Sequence, residues 1–258
     1  MAATGTISEE VYIEQDILNP LQYAKMKIEP LINEQDELVV PVRNLDTPHF
    51  RRIGRASFGR RIGRSEDDPT HDKCVQQIFD HLQAPGQVKT LLTYFFPVGS
   101  QSREEQVVFA TGAASDYRWV KEEGARIAFH DGTYIQPDLA GRDANRFFPR
   151  ASCPNIIIEV IRTHPPEANT FERLCELSLA NTIVVFYFIG EERTGGLLNH
   201  MIVESGSFTL RVSHYMIGGQ LYNNGLPVYD RAKYSTAQLW YSMVKSSYFE
   251  RAMKKISD

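Results

Sequence analysis

Three pieces of one stretch decide the fold: TYIQPDLAG at 133–141, PNIIIEVIRTH at 154–164 and TIVVFYFI at 182–189. The first carries Pro137-Asp138 at the far end of a short strand. The second is a run of isoleucines with one carboxylate, Glu159, set among them. Strand alternation puts Ile156, Ile158 and Val160 on one face, and Ile157, Glu159, Ile161 and Thr163 on the other. The third piece is apolar throughout, as expected of a strand covered on both faces. A carboxylate inside an apolar strand is costly unless it has a partner or a task. Taken singly, Asp138 reads as a strand-end turn residue, and Glu159 as a buried partner of Arg162 or Arg173. Taken together, on adjacent strands, they read as oxygen ligands for a hard cation such as Mg²⁺ or Mn²⁺.

Outward from this stretch, helices and hairpins alternate. Ala125–His130 and Thr133–Gln136 flank Asp131-Gly132, a strong hairpin signal. Residues 141–154 read as a polar loop. Pro165-Pro166 opens a helix with Phe171, Leu174, Cys175 and Ser178 on one side, and Asn181 suits its end. Upstream, Asp68-Pro69 pairs an N-cap with a first-position proline. Cys74, Val75, Ile78, Phe79 and Leu82 share the face of that helix that His71 continues, and Pro85-Gly86 ends it. Read alone, His71 is a hydrogen-bonded histidine at the core edge. Residues 88–98 and 106–110 are expected strands. Residues 197–204 and 207–215 form a hairpin about Ser205-Gly206, Tyr222–Gly225 is a turn, and 235–255 is a terminal helix with Leu239, Met243 and Val244 on one face.

The first fifty residues are expected to hold a short helix from Ser8 to Leu18, stopped by Pro20, and a strand over 37–42. They carry three basic residues against nine acidic ones. Residues 51–64 reverse that balance. The pentapeptide RRIGR occurs twice, at 51–55 and 60–64, giving Arg51, Arg52, Arg55, Arg60, Arg61 and Arg64 with no acid among them. With Gly54, Gly59 and Gly63 interspersed, this reads as a bent, hairpin-like ribbon. Either its guanidinium groups contact nucleic-acid phosphates, or they form a solvated face that balances the acidic segment.

With 258 residues, 42% hydrophobic and 23% charged, the chain has the make-up of one large α/β domain with appendages. No apolar run approaches the ~20 residues of a membrane helix, and the N-terminus has no signal-peptide pattern. Three cysteines without a pairing pattern suit a reducing cytoplasm. Cys74, His71, Cys153, His164 and Cys175 include no C-x-x-C pair, so zinc is the weaker metal expectation. Walker, Gly-x-Ser-x-Gly and dinucleotide motifs are missing from the sequence.

The stretch resembles the PD-(D/E)-x-K nuclease superfamily through Pro137-Asp138 and Glu159-Val160, followed by a helix and a strand. Within it, the chain is most similar to the CoiA-like competence nucleases. These carry a histidine on an early helix, Pro-Asp, Glu-Ile-Gln-x-Ser, then a helix and an apolar strand. The counterparts are His71, Pro137-Asp138, Glu159-Val160-Ile161-Arg162-Thr163 and the helix around Phe171 and Arg173. The resemblance covers about residues 65–190. It implies a restriction-endonuclease-like mixed sheet flanked by helices. Residues 1–64 would be an N-terminal arm or subdomain, 65–190 the nuclease-like core, and 191–258 a hairpin-and-helix extension. It implies metal-dependent hydrolysis of DNA, with Asp138 and Glu159 holding Mg²⁺ or Mn²⁺ and His71 assisting, and by analogy a bacterial or phage defence or mobile-element setting. A second copy or a partner protein stays open. The departure is Ile161, which falls where the superfamily has lysine and the CoiA-like proteins glutamine. A basic group from another element would then be needed: Lys73, Arg162 or Arg173. Arg162 alternates to the opposite face, so Arg173 is preferred. The alternative is a catalytically inactive fold that binds nucleic acid or joins an assembly.

Overall fold

The computed structural model describes residues 2–34, 38–53, 60–64, 66, 68–95, 97, 99, 102–146, 148–189 and 199–257. The chain forms two compact units, 1–59 and 60–258.

The first unit is a five-stranded antiparallel sheet over a small core of Tyr12, Ile17, Met26, Leu31, Val39 and Phe50. The helix expected from Ser8 to Leu18 is present only in its second half, as a 3-10 helix over Glu14–Leu18. Val11–Ile13 is a strand paired with Ala2–Gly5, because Tyr12 is buried between two exposed β-branched neighbours. That helix ends at Leu18, as expected ahead of Pro20, and Pro20 itself starts another. Asn19 caps Pro20–Met26 by accepting from the Leu21 and Gln22 N–H groups, and the proline sits where an N–H would have no intrahelical acceptor.

The second unit is mixed α/β, built on a seven-stranded sheet. Its strands are β1 (Tyr117–Lys121), β2 (Leu139–Asp143), β3 (Asn155–Ile161), β4 (Thr182–Phe188), β5 (His214–Ile217), β6 (Gln220–Asn223) and β7 (Leu226–Pro227), and their spatial order follows the chain. Only β3 and β4 run parallel, joined by helix α2 (Ala168–Ser178); the other neighbours are antiparallel. Helix α1 (Pro69–Gln83) covers one face, with Val75, Ile78 and Leu82 in the same core as Ile156, Ile158 and Val160. Helices α2 and α3 (Ala237–Val244) cover the other, where Ile157 and Ile161 share a core with Phe171, Leu174, Trp240 and Val244. A second, four-stranded sheet joins Val88–Phe95 and Glu104–Ala110 to the hairpin His200–Glu204 and Ser207–Arg211, which turns at Gly206 with φ +80°.

Two expectations are corrected in this unit. Part of the supposed polar loop at 141–154 is strand β2: Asp143 is buried and closes the following turn by accepting from the Asp116 and Asn145 N–H groups. Pro137-Asp138 therefore precedes β2 instead of ending the hairpin strand. The terminal helix buries Trp240, Tyr241 and Val244, while Leu239 and Met243 are exposed. Beyond α3 it widens into a π turn, Lys245–Phe249, and continues as α4 (Glu250–Ser257).

Gly141 faces the Trp119 ring so closely that an added Cβ would lie 2.5 Å from its carbons. Gly141→Ala should destabilise the protein by ~1–3 kcal/mol through overpacking. An unchanged thermal melt would mean that Trp119 has room to move.

Candidate active site

The start of α1 sets the first catalytic candidate. Asp68 accepts hydrogen bonds from the Thr70 and His71 N–H groups, with Pro69 at the first helical position. This brings the buried His71 ring between two carboxylates, with Nδ1 3.1 Å from Asp72 Oδ1 and Nε2 3.3 Å from Asp138 Oδ2. Burial alone would lower the imidazole pKa. The hydrogen bond and charge of Asp138, then Asp72 and Glu66, outweigh it and push the ring up to about 9, so His71 is an imidazolium at neutral pH.

Asp138 is fixed from the other side by β3. Its Oδ2 accepts from the Val160 N–H at 2.8 Å, extending the β2–β3 ladder by one rung beyond Leu139 and Ile158. Among the described residues no donor meets its other oxygen, Oδ1.

Glu159 stands on β3 between Ile157 and Ile161. Its carboxylate has no hydrogen-bond or ion-pair partner among the described residues. Burial first, then the charge of Asp138, holds its pKa well above the ordinary carboxylate range; His71 and Arg61 offset this only in part. A carboxyl group without a donor, facing a second carboxylate, is the donor set a divalent cation would satisfy. Among the described residues no cluster of three or more His, Cys, Asp or Glu side chains forms a ready-made metal cage, for zinc or otherwise. Cys74, Cys153 and Cys175 are all free thiols.

His71, Asp138 and Glu159 line one cavity of about 450 Å³. Arg61 reaches the same cavity from a two-residue strand that runs parallel to Thr133–Ile135, with Ile62 N–H donating to the Tyr134 carbonyl. Gly63 then turns with φ +85°, tightly against Thr170. At the rim, Glu66 accepts from the Arg162 and Thr163 N–H groups and the Thr163 hydroxyl. Asp68 pairs with Arg162 at 3.1 Å.

The structure separates other residues singled out in the sequence. Arg173 does not line the cavity; Asp131 and Glu176 hold its guanidinium over the Phe129 ring. Arg162 is occupied by Asp68, and Lys73 is exposed on α1. Ile161 is core, 2% exposed. The two RRIGR copies do not form one ribbon. Arg51 and Arg52 lie on a strand paired with Leu38–Val42 in the first unit, whereas Arg60 and Arg61 join the second. Arg64 pairs with Glu167, and Arg55 lies outside the described residues. Arg61, Glu66 and Lys245 were not expected at the site; the arginine repeat was the only sequence signal for any of them.

No protein-family model, curated protein or solved structure matches the chain. Among the described residues no helix is long and apolar enough to cross a membrane.

Proposed function

We propose that this protein is a metal-dependent nuclease that hydrolyses DNA phosphodiester bonds on a restriction-endonuclease-like core. The observation that carries this reading is Glu159: a half-buried carboxylate without a donor among the described residues, beside a second carboxylate, at the wall of an open cavity. The element order supports it. A histidine-bearing helix precedes strands β1 to β3, Asp138 stands at the head of β2 and Glu159 within β3, and a helix and the parallel strand β4 follow.

Asp138 Oδ1 and Glu159 would hold Mg²⁺ or Mn²⁺. Such an ion lowers the pKa of a bound water and offsets charge on a phosphoryl group. His71, together with the Val160 N–H, fixes the direction of the Asp138 carboxylate. Arg61 adds positive charge to the wall that faces the substrate. Arginines outside the cavity, Arg51 and Arg60 among them, would contact backbone phosphates without reading sequence. By analogy the setting is a bacterial or phage defence or mobile-element system, acting in the cytoplasm.

The test is incubation with plasmid and Mg²⁺ or Mn²⁺. Cleavage that needs the metal is expected; no cleavage with either ion overturns the reading. One observation favours a second reading, an inactive nucleic-acid-binding or assembly subunit. Ile161 is packed into the core where the related nucleases place a lysine or glutamine. That subunit would bind DNA yet show no Mn²⁺ binding dependent on Glu159 by calorimetry.

A further inference from the structure

We infer that Arg61 and Lys245, brought together from opposite ends of the second unit, form the phosphate-binding group of the cavity and stand in for the side chain that Ile161 cannot supply. The inference rests on the nuclease reading for its chemistry, but it makes a separate claim about what binds.

The argument is an inventory of charge around one cavity. Its acidic residues other than Asp138 and Glu159 are already engaged. Glu66 is taken up by Arg162 and Thr163, Asp68 by the start of α1 and by Arg162, and Glu167 by Arg64. Arg61 and Lys245 line the same cavity and, among the described residues, make no ion pair. The Arg61 Nε is buried with no hydrogen-bond partner. Were Arg61 simply the structural counterion of Glu159, an ion pair between them would be expected, and none forms. A guanidinium with an unmet buried donor and an unpaired ammonium, both on the wall of an open cavity, suit a bidentate oxyanion such as a phosphate diester.

The backbone supports this placement independently. Lys245 opens the π turn Lys245–Phe249. The wider turn lets Val244 and Phe249 both be fully buried while Lys245 remains at the cavity wall. Such turns within helices recur at functional sites. Arg61 is held by the pairing of its short strand with Thr133–Ile135, so it is directed by main chain and not by a flexible tail.

The experiment titrates the full-length protein, in EDTA at pH 6, with thymidine 3′,5′-bisphosphate and reads binding by calorimetry. Arg61→Gln and Lys245→Gln should each weaken binding at least about tenfold, and the double variant should abolish it. Arg61→Lys and Lys245→Arg should retain most of it. Lys233→Gln, an equal loss of charge at an exposed residue that does not line the cavity, should change nothing. Circular-dichroism melts confirm folding, and Lys245→Gln decides the matter should Arg61→Gln not fold. Wild-type protein that fails to bind the bisphosphate, or binding indifferent to both substitutions, overturns the inference. Arg61- and Lys245-dependent binding in a protein that cuts no DNA would remove the nuclease reading and leave this one standing.

Discussion

Asp138→Ala will silence the site and weaken the fold at once. One oxygen, Oδ2, accepts from both the Val160 N–H at 2.8 Å and the His71 ring at 3.3 Å. His71 is buried, so alanine would leave its Nε2–H and a backbone donor without an acceptor, with only Asp72 still paired to the ring through Nδ1. Removing one partner of a buried ion pair costs about 3–5 kcal/mol, or roughly 10 °C in melting temperature for a unit of this size. The pH dependence has a definite sign. The His71 pKa is raised to about 9 in the folded protein, so the stability it contributes is complete below the ordinary imidazole pKa and is lost as pH rises through about 9. The gap between wild type and Asp138→Ala should therefore be widest near pH 6 and narrow by pH 10. Cleavage should fall by roughly a thousandfold. Asp138→Asn separates the two effects, because it keeps an oxygen for the Val160 N–H while removing the charge. A variant Asp138→Ala that melts like wild type would show that Asp138 does not anchor His71, and an active Asp138→Asn would exclude it as a metal ligand.

The pair at the heart of this prediction was legible in the sequence because its signals are local. The isoleucine run around Glu159 fixes β3, and the apolar run after it fixes β4, almost to the residue. Asp68-Pro69 marks the start of α1. Asn224-Gly225 marks the β6–β7 turn through positive φ angles of 45° and 76°. Strand β1 went unread because Tyr117–Lys121 is only five residues, two of them charged, and only Trp119 is fully within the core. Strand β2 went unread because Gly141 and Asp143 look like loop residues; one makes room for the Trp119 ring and the other closes a turn. Arg61 and Lys245 reach the cavity through long-range packing, which no local pattern encodes. Arg173 was a reasonable choice by spacing on α2, but the Asp131 of the hairpin turn captures it.

Glu159→Gln should have the opposite effect on stability and the same effect on activity. In the metal-free protein, the Glu159 carboxyl is half-buried, lacks a donor among the described residues and faces Asp138. Its folded-state pKa is raised, so ionising it works against the fold. The stabilisation from the protonated form is complete below the ordinary glutamate pKa and is lost as pH rises through the raised value. Glutamine has the same shape and never ionises. In EDTA at pH 8 the variant should therefore melt higher than wild type, by ~1–3 kcal/mol or several degrees. At pH 4 the two should melt nearly together, because Glu159 is then largely protonated in both the folded and unfolded chain. Mn²⁺ should invert the order. An ion at a hundred times its dissociation constant adds about 2.7 kcal/mol to the wild type, and Glu159→Gln should gain almost none of it, with cleavage lost. Such a substitution, stabilising without metal and inactive with it, is what a carboxylate kept for function and not for folding should give. A variant that melts below wild type in EDTA at pH 8 would mean that Glu159 has a structural partner, and the metal-site reading of the pair would fall with it.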